Sequence, residues 1–106
     1  MDNALSLSNA AQALAALGHE ARLSVFRLLV RSGHGGLNVG EICAHLDMPA
    51  STLAHHLRAL VAAGLVTQER QGRIILNRAD YQAMESLLEF LGDECCAGVR
   101  PAAGVA

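Results

Sequence analysis

Lysine is missing from this chain of 106 residues, and every basic side chain is arginine. Arginine grips carboxylates and phosphates through a planar two-pronged head that a flexible ammonium lacks. Aromatic residues make up only 3% of the chain, whereas 52% is apolar, much of it leucine and alanine. That balance favours packed helices over a sheet-rich fold, which would draw on Val, Ile, Thr and Tyr. No apolar run approaches the roughly 18 to 20 residues needed to cross a bilayer, so no membrane partner is expected. The start lacks a basic segment followed by a hydrophobic stretch, so no export signal is expected. Cysteine is scarce: Cys43, Cys95 and Cys96 cannot all pair within one chain. Reduced thiols in a cytoplasmic protein are the expectation. There is no Cys-x-x-Cys, no Ser/His/Asp set and no glycine-rich phosphate loop, which argues against an enzyme. The histidines show no zinc spacing either. His55 and His56 are adjacent, while His19, His34 and His45 are scattered.

What is present fits one domain over residues 1–106, with an ordered core at 7–96 and a flexible tail at 97–106. Formal net charge is -2, which alone argues against non-specific binding of nucleic acid. The distribution is uneven. Between Arg22 and Arg78 seven arginines face three acids, Glu41, Asp47 and Glu69; from Asp80 onward five acids face only Arg100. The middle is suited to phosphates and the end to something else, although an ordinary solvated surface has the same composition.

Periodicity divides the chain further. Residues 1–6 read as frayed. Leu7, Ala10, Leu14 and Leu17 repeat at the spacing of one helical face, with Ser6 or Ser8 as a cap. "HEARLSVFRLLVRSG" reads as a second helix with Leu23, Phe26, Leu29 and Val30 inward and Gly33 just past its end. "VGEICAHL" is a short third helix carrying Val39, Ile42, Cys43 and Leu46, and Pro49 suits the first position of a fourth. That fourth helix, "ASTLAHHLRALVAAG", holds Leu53, Leu57, Leu60 and Val61 on one side and stops at Gly64. The period then changes to two short β-prone runs around Gln71-Gly72, a hairpin with an arginine on each side of its turn. Asp80 caps a last helix in which Met84, Leu87, Leu88, Leu91 and Cys95 share a face. The fold class expected is mainly α with a small β-hairpin, in the order α-α-α-α-β-β-α.

A short helix, a tight turn, a second helix and a hairpin describe a winged helix-turn-helix. Its second helix must be apolar toward its own domain and small or polar toward the major groove. At about 100° per residue, Leu57 and Leu60 fall within about 40° of Leu53. His55 falls opposite, with Arg58, Ala59 and Ala62; Ser51 and Thr52 lie on the open side of the N-terminal end. His56 sits at the edge of the buried stripe and reads as packed or capping. The candidate DNA contacts are therefore Ser51, Thr52, His55 and Arg58 from the helix, and Arg70 and Arg73 from the wing.

"GHEARLSVFRLLV", "VGEICAHLDMPASTLAHHLRALVAAGLV" and the Gln71-Gly72 wing resemble the ArsR/SmtB family of bacterial metal- and metalloid-sensing repressors, over roughly residues 8 to 95. The resemblance implies a homodimer joined through its first and last helices, bound to double-stranded operator DNA and released by an inducer. Both helices carry apolar stripes that so small a domain cannot fully cover. The departures are equally informative. Where one branch of the family opens its third helix with a Cys-x-Cys pair, this chain has Asn38-Val39-Gly40-Glu41-Ile42. Where another binds zinc across its last helices, Asp80 is kept, Gln82 stands in place of a His, and no His lies beyond His56. Ala50 and Ala54 also replace the Gln and Ser common in the family's recognition helix.

With both sites lost, Cys95 and Cys96 in "GDECCAG" become the leading inducer site. Soft thiolates select thiophilic centres, and the family's ligands make trivalent arsenic or antimony the expected inducer, with no constitutive cofactor. Some members add a third Cys a few residues later; here Pro101-Ala102-Ala103 follow, so a two-thiol site suits a methylated arsenical. Inorganic arsenite would draw a third ligand from the other subunit, from Cys43 or from solvent. Cys43 otherwise reads as a small core residue, Cys95 as an interface hydrophobe and Cys96 as a free thiol. A redox-responsive repressor of the same fold, a repressor with no metal site and a dimerisation module without DNA are the alternatives. The acidic Asp93 and Glu94 beside the pair disfavour fast thiolate oxidation.

Overall fold

Local capping chemistry sets most of the element boundaries in the computed structural model, which describes residues 5–104. The first four residues of the expected frayed start, and 105–106 of the expected tail, lie outside the described residues. Helix α1 (Leu7–Leu17) starts on Ser6, whose hydroxyl accepts from the Asn9 amide at 3.0 Å. Helix α2 (Glu20–Ser32) follows His19, which supplies no side-chain cap, and ends at Gly33 with φ 76°. Helix α3 (Val39–Leu46) opens on a reciprocal capping box. Asn38 accepts from the Glu41 amide at 2.8 Å, and Glu41 accepts from the Asn38 amide at 2.9 Å. Helix α4 (Ala50–Ala62) begins one residue later than expected, because Pro49 is its N-cap and stays extended. Helix α5 (Tyr81–Gly92) starts on Asp80, whose carboxylate accepts from the Ala83 amide at 3.0 Å.

Strands β1 (Val66–Gln71) and β2 (Ile74–Ala79) pair antiparallel, from Val66 opposite Ala79 to Gln71 opposite Ile74. The hairpin turn is therefore Gly72-Arg73, one residue later than expected, and Arg73 sits in the turn itself. Gly72 takes φ 62° at its first central position, where a two-residue hairpin calls for glycine. The whole order is α-α-α-α-β-β-α, as expected. Two features had no sequence signal: a 3-10 turn at Gly33–Gly35, and a bridge from Leu37 to Asn77.

The core gathers Val25, Leu29, Ile42, Leu53, Leu60 and Leu65, all essentially solvent-free. The apolar stripes on the first and last helices are left partly uncovered, as expected, and the expected faces need correction at Leu23, Val61 and Cys95. Helix α1 buries Ala10, Ala13 and Ala16, while Leu7 and Leu14 are exposed. Alanines let a helix approach its neighbours closely, and here they take the inner face, leaving the leucines on a second surface. Leu23 and Val61 are also exposed, and Val25, not singled out in the sequence, is fully buried in α2. On α5 only Leu87 is buried; Leu88 is 62% exposed and Leu91 57%.

The last correction concerns Cys95. Helix α5 stops at Gly92 and Asp93 turns extended (φ -62°, ψ 136°), so Cys95 does not continue the Leu88–Leu91 face. Glycine and aspartate both favour leaving a helix. Cys95 and Cys96 instead occupy an exposed turn with Glu94 and Cys96 in the left-handed region, at φ 59° and 61°. Beyond it, residues 97–104 carry no helix or strand and are exposed.

Candidate nucleic-acid interface

Helices α3 and α4 are joined by Asp47, Met48 and Pro49, and Asp47 takes the left-handed conformation (φ 51°) that ends α3 within one residue. Leu53, Leu57 and Leu60 anchor α4 in the core. The opposite face is thereby exposed, and Ser51, Thr52, His55 and Arg58 all lie on it. Arg70, near the end of β1, and Arg73, in the turn, are exposed at the tip of the hairpin. The four helix candidates thus share one face, and the two wing candidates share one hairpin end.

The hairpin's position follows from groups that sequence reasoning did not single out. Arg78 donates from Nε to the His34 carbonyl at 2.6 Å and from NH1 to the Glu69 carboxylate at 2.6 Å. The hydrogen bonds from Arg78 and then Gln71 hold the Glu69 carboxyl below the usual carboxylate range. Opposite charges diagonally placed on one face of a hairpin were the available signal. The pairing leaves Arg70 and Arg73 as the wing arginines outside any salt bridge among the described residues. Asn77, buried in β2, accepts from Gln68 Nε2 at 2.8 Å and donates from Nδ2 to the Leu37 carbonyl at 3.2 Å. The segment carrying Leu37 passes so close that a Cβ on Gly36 (φ 69°) would sit 2.8 Å from the Asn77 carbonyl oxygen.

His56 is packed, as its place on the stripe implied: it is 5% exposed. Its ring lies between those of His19, 5.1 Å away, and His55, 5.7 Å away. Burial, with His19, Arg22 and His55 nearby, pushes its pKa below the ordinary imidazole value. Its Nδ1 and the Nε of Arg22 are buried without a hydrogen-bond partner.

The thiols divide. The sulfur atoms of Cys95 and Cys96 lie 3.6 Å apart and are exposed, while Cys43 is half-buried against the core. Among the described residues no group of three or more His, Cys, Asp or Glu side chains is placed to hold a metal ion. No described helix is long and apolar enough to cross a membrane.

Comparison with known proteins bears on this geometry. Residues 17–69 match the family described as a helix-turn-helix domain. The chain is 31% identical over 91 residues to YbzH, an HTH-type transcriptional regulator of Bacillus subtilis, covering 74% of this chain and 91% of that one. Its fold superposes on an ArsR-like transcriptional regulator from Rhodococcus sp. RHA1 with a TM-score of 0.71 and 26% identity, over 85% of this chain and 82% of that one. It also matches the homodimeric winged helix-turn-helix DNA-binding domain of Mb0332 from Mycobacterium bovis, with a TM-score of 0.65 and 26% identity, over 91% and 89% of the two chains. The recognition-helix geometry, the wing and these likenesses agree: the chain belongs to the helix-turn-helix transcriptional regulators, in their winged, ArsR-like form.

Proposed function

We propose that this regulator is a homodimeric repressor that leaves its operator when a trivalent arsenical binds Cys95 and Cys96. The observation that carries the reading is the 3.6 Å separation of two exposed sulfurs on one turn. A centre bonded to both at about 2.3 Å, the length of a zinc–thiolate bond, would subtend an angle of roughly 100°. One soft ion or metalloid is thus reachable by both thiolates with little movement. The left-handed backbone at Glu94 and Cys96 is uncommon for residues with a Cβ, and the turn it makes brings neighbouring side chains to one side.

The chemistry balances without an oxidant. A methylated trivalent arsenical carrying two hydroxyls exchanges both for the two thiols; two arsenic–sulfur bonds form, two arsenic–oxygen bonds break, and two waters leave. Inorganic arsenite or antimonite retains a third hydroxyl or takes a third thiol from the partner subunit. Cys43, packed on α3 against the core, is poorly placed to leave its site. Exposed Leu88 and Leu91 precede the turn on α5, and Leu7 and Leu14 are exposed on α1; these stripes are the surfaces for a second copy. The homodimeric relative supports that use of the fold. A ligand at the end of α5 then alters the dimer, and so the spacing of the two α4 helices, without touching DNA. A coupling of about 1–3 kcal/mol, the usual range, weakens DNA binding about 5- to 150-fold once the ligand is bound.

The test is release of a fluorescent promoter duplex, followed by anisotropy. Arsenite, a methylated trivalent arsenical and antimonite should release the wild-type protein. Cys95→Ser and Cys96→Ser should keep DNA affinity and lose the response, and Cys43→Ser should keep both. Unchanged release from both tail variants overturns the site, and release by peroxide alone replaces it with a redox switch at the same pair.

A further inference from the structure

The two buried side-chain nitrogens without a partner, Arg22 Nε and His56 Nδ1, belong to residues that meet at one place, the N-terminus of α2. Arg22 lies in the first turn of that 13-residue helix, and His56 reaches it from α4 through the ring of His19, 5.1 Å away. His19 is the N-cap of α2 and supplies no side-chain acceptor to the first-turn amides. A helix N-terminus carries partial positive charge and unsatisfied amide donors. An arginine and two imidazoles surround this one. The acid within reach by sequence is Glu20, exposed in the same turn, and it forms no salt bridge among the described residues. Two buried nitrogens are thus left without a partner, whereas buried polar atoms in folded proteins are nearly always paired.

We infer that the N-terminus of α2, with His19, Arg22 and His56, is a cradle for a phosphate oxyanion, and that a phosphodiester of bound DNA fills it. The placement favours DNA as the source. His56 is on the recognition helix, and its neighbour His55, with ring centroids 5.7 Å apart, is on the exposed face of α4. A helix seated in the major groove has a phosphate strand along each side, and backbone phosphates are commonly held by arginines and helix N-termini. His19 is exposed, so its ring can swing aside from His56 and donate to the incoming oxygen. This rests on the protein being a DNA-binding regulator and is independent of the arsenical reading.

The test uses His19→Asp and Arg22→Gln in the full chain. His19→Asp places a carboxylate in the cradle, where it caps α2 and faces Arg22. Its melting temperature should rise by a few degrees while its affinity for DNA falls about three- to ten-fold. The loss should be equal on promoter and random duplexes, and the slope of log affinity against log salt should shrink by about 0.9. Arg22→Gln should show the same loss and the same flattening. Opposite movements of stability and affinity in His19→Asp exclude a merely structural role. A second arm measures the wild-type melting temperature in inorganic phosphate against chloride at equal ionic strength, and it reads the cradle even if wild-type protein binds no duplex. If the variants keep wild-type DNA affinity and salt slope, but phosphate stabilises wild type and not His19→Asp, the cradle stands and its source is free phosphate. Unchanged DNA binding together with no phosphate effect overturns it.

Discussion

Asn77 and Leu37, forty residues apart in sequence, exchange both backbone hydrogen bonds, at 2.8 and 3.0 Å. The Asn77 side chain adds a third to the same Leu37 carbonyl, at 3.2 Å. This bridge ties the wing to the segment between α2 and α3. The wing's place beside the recognition helix thus depends on a fully buried polar residue.

Asn77→Ala should therefore cost about 1–3 kcal/mol, since it strips Gln68 Nε2 of its acceptor and leaves a small void. Asn77→Leu should cost at least as much, because it removes the same bonds and puts a branched apolar group beside polar atoms. Urea unfolding measures both. DNA affinity should fall more than the loss of stability alone accounts for, as the wing arginines lose their fixed position.

The two sets of candidate DNA contacts should separate by experiment. His55→Ala should narrow the gap between promoter and random duplex, because base-edge contacts carry specificity. Arg70→Ala and Arg73→Ala should weaken both duplexes alike and each reduce the salt slope by about 0.9, as phosphate contacts do. Anisotropy titrations at several salt concentrations distinguish them. Full discrimination in the His55 variant would remove that residue from base readout.

Leu88→Glu and Leu91→Glu should leave the fold standing, because both side chains are exposed in one chain. If α5 forms the dimer surface, each forfeits about 1.5–3 kcal/mol of apolar burial and places charge in the interface. Sedimentation should show monomers at micromolar concentration, with promoter affinity down by at least ten-fold. Dimers that persist in the double variant would place the interface elsewhere.

His56 makes stability pH-dependent. Its pKa is lowered in the folded protein, by burial first and then by His19, Arg22 and His55. Below the ordinary value of about 6.5 the unfolded chain therefore binds more protons than the folded one. This contribution is fully present above about pH 6.5 and is lost as the pH falls toward the folded-state value. Thermal melts from pH 7.5 to 5 should show the decline, and His56→Gln should flatten it. An equally steep decline in that variant would assign the effect to other groups.

How much of this was legible in the sequence varies by element. The buried stripe Leu53–Leu57–Leu60 and the exposed His55 follow from helical periodicity alone, because one amphipathic helix on one core leaves a single choice of face. The Ser6 and Asp80 caps are equally local, since a cap is a contact across three residues, whereas the equally local Asn38 capping box was not read. On α1 the uncovered stripe of Leu7 and Leu14 was legible, but not that Ala13 and Ala16 join Ala10 on the inner face, which close approach of the helices decides. The end of α5 was misread because helical spacing can be continued through Gly92 on paper, whereas the backbone leaves the helix there.

The sequence by itself determined the element order, the helix-turn-helix, the face of α4 and the presence of a thiol pair at the end of the last helix. These depend on residue spacing and short-range propensity, which act within a few residues. Only the tertiary structure decided that the Cys95 and Cys96 sulfurs lie side by side on an exposed turn, that Asn77 holds Leu37, and that His56 packs by His19 while its Nδ1 and the Nε of Arg22 are buried without a partner. Such meetings join residues tens of positions apart, and their geometry is set by how the helices pack around the core.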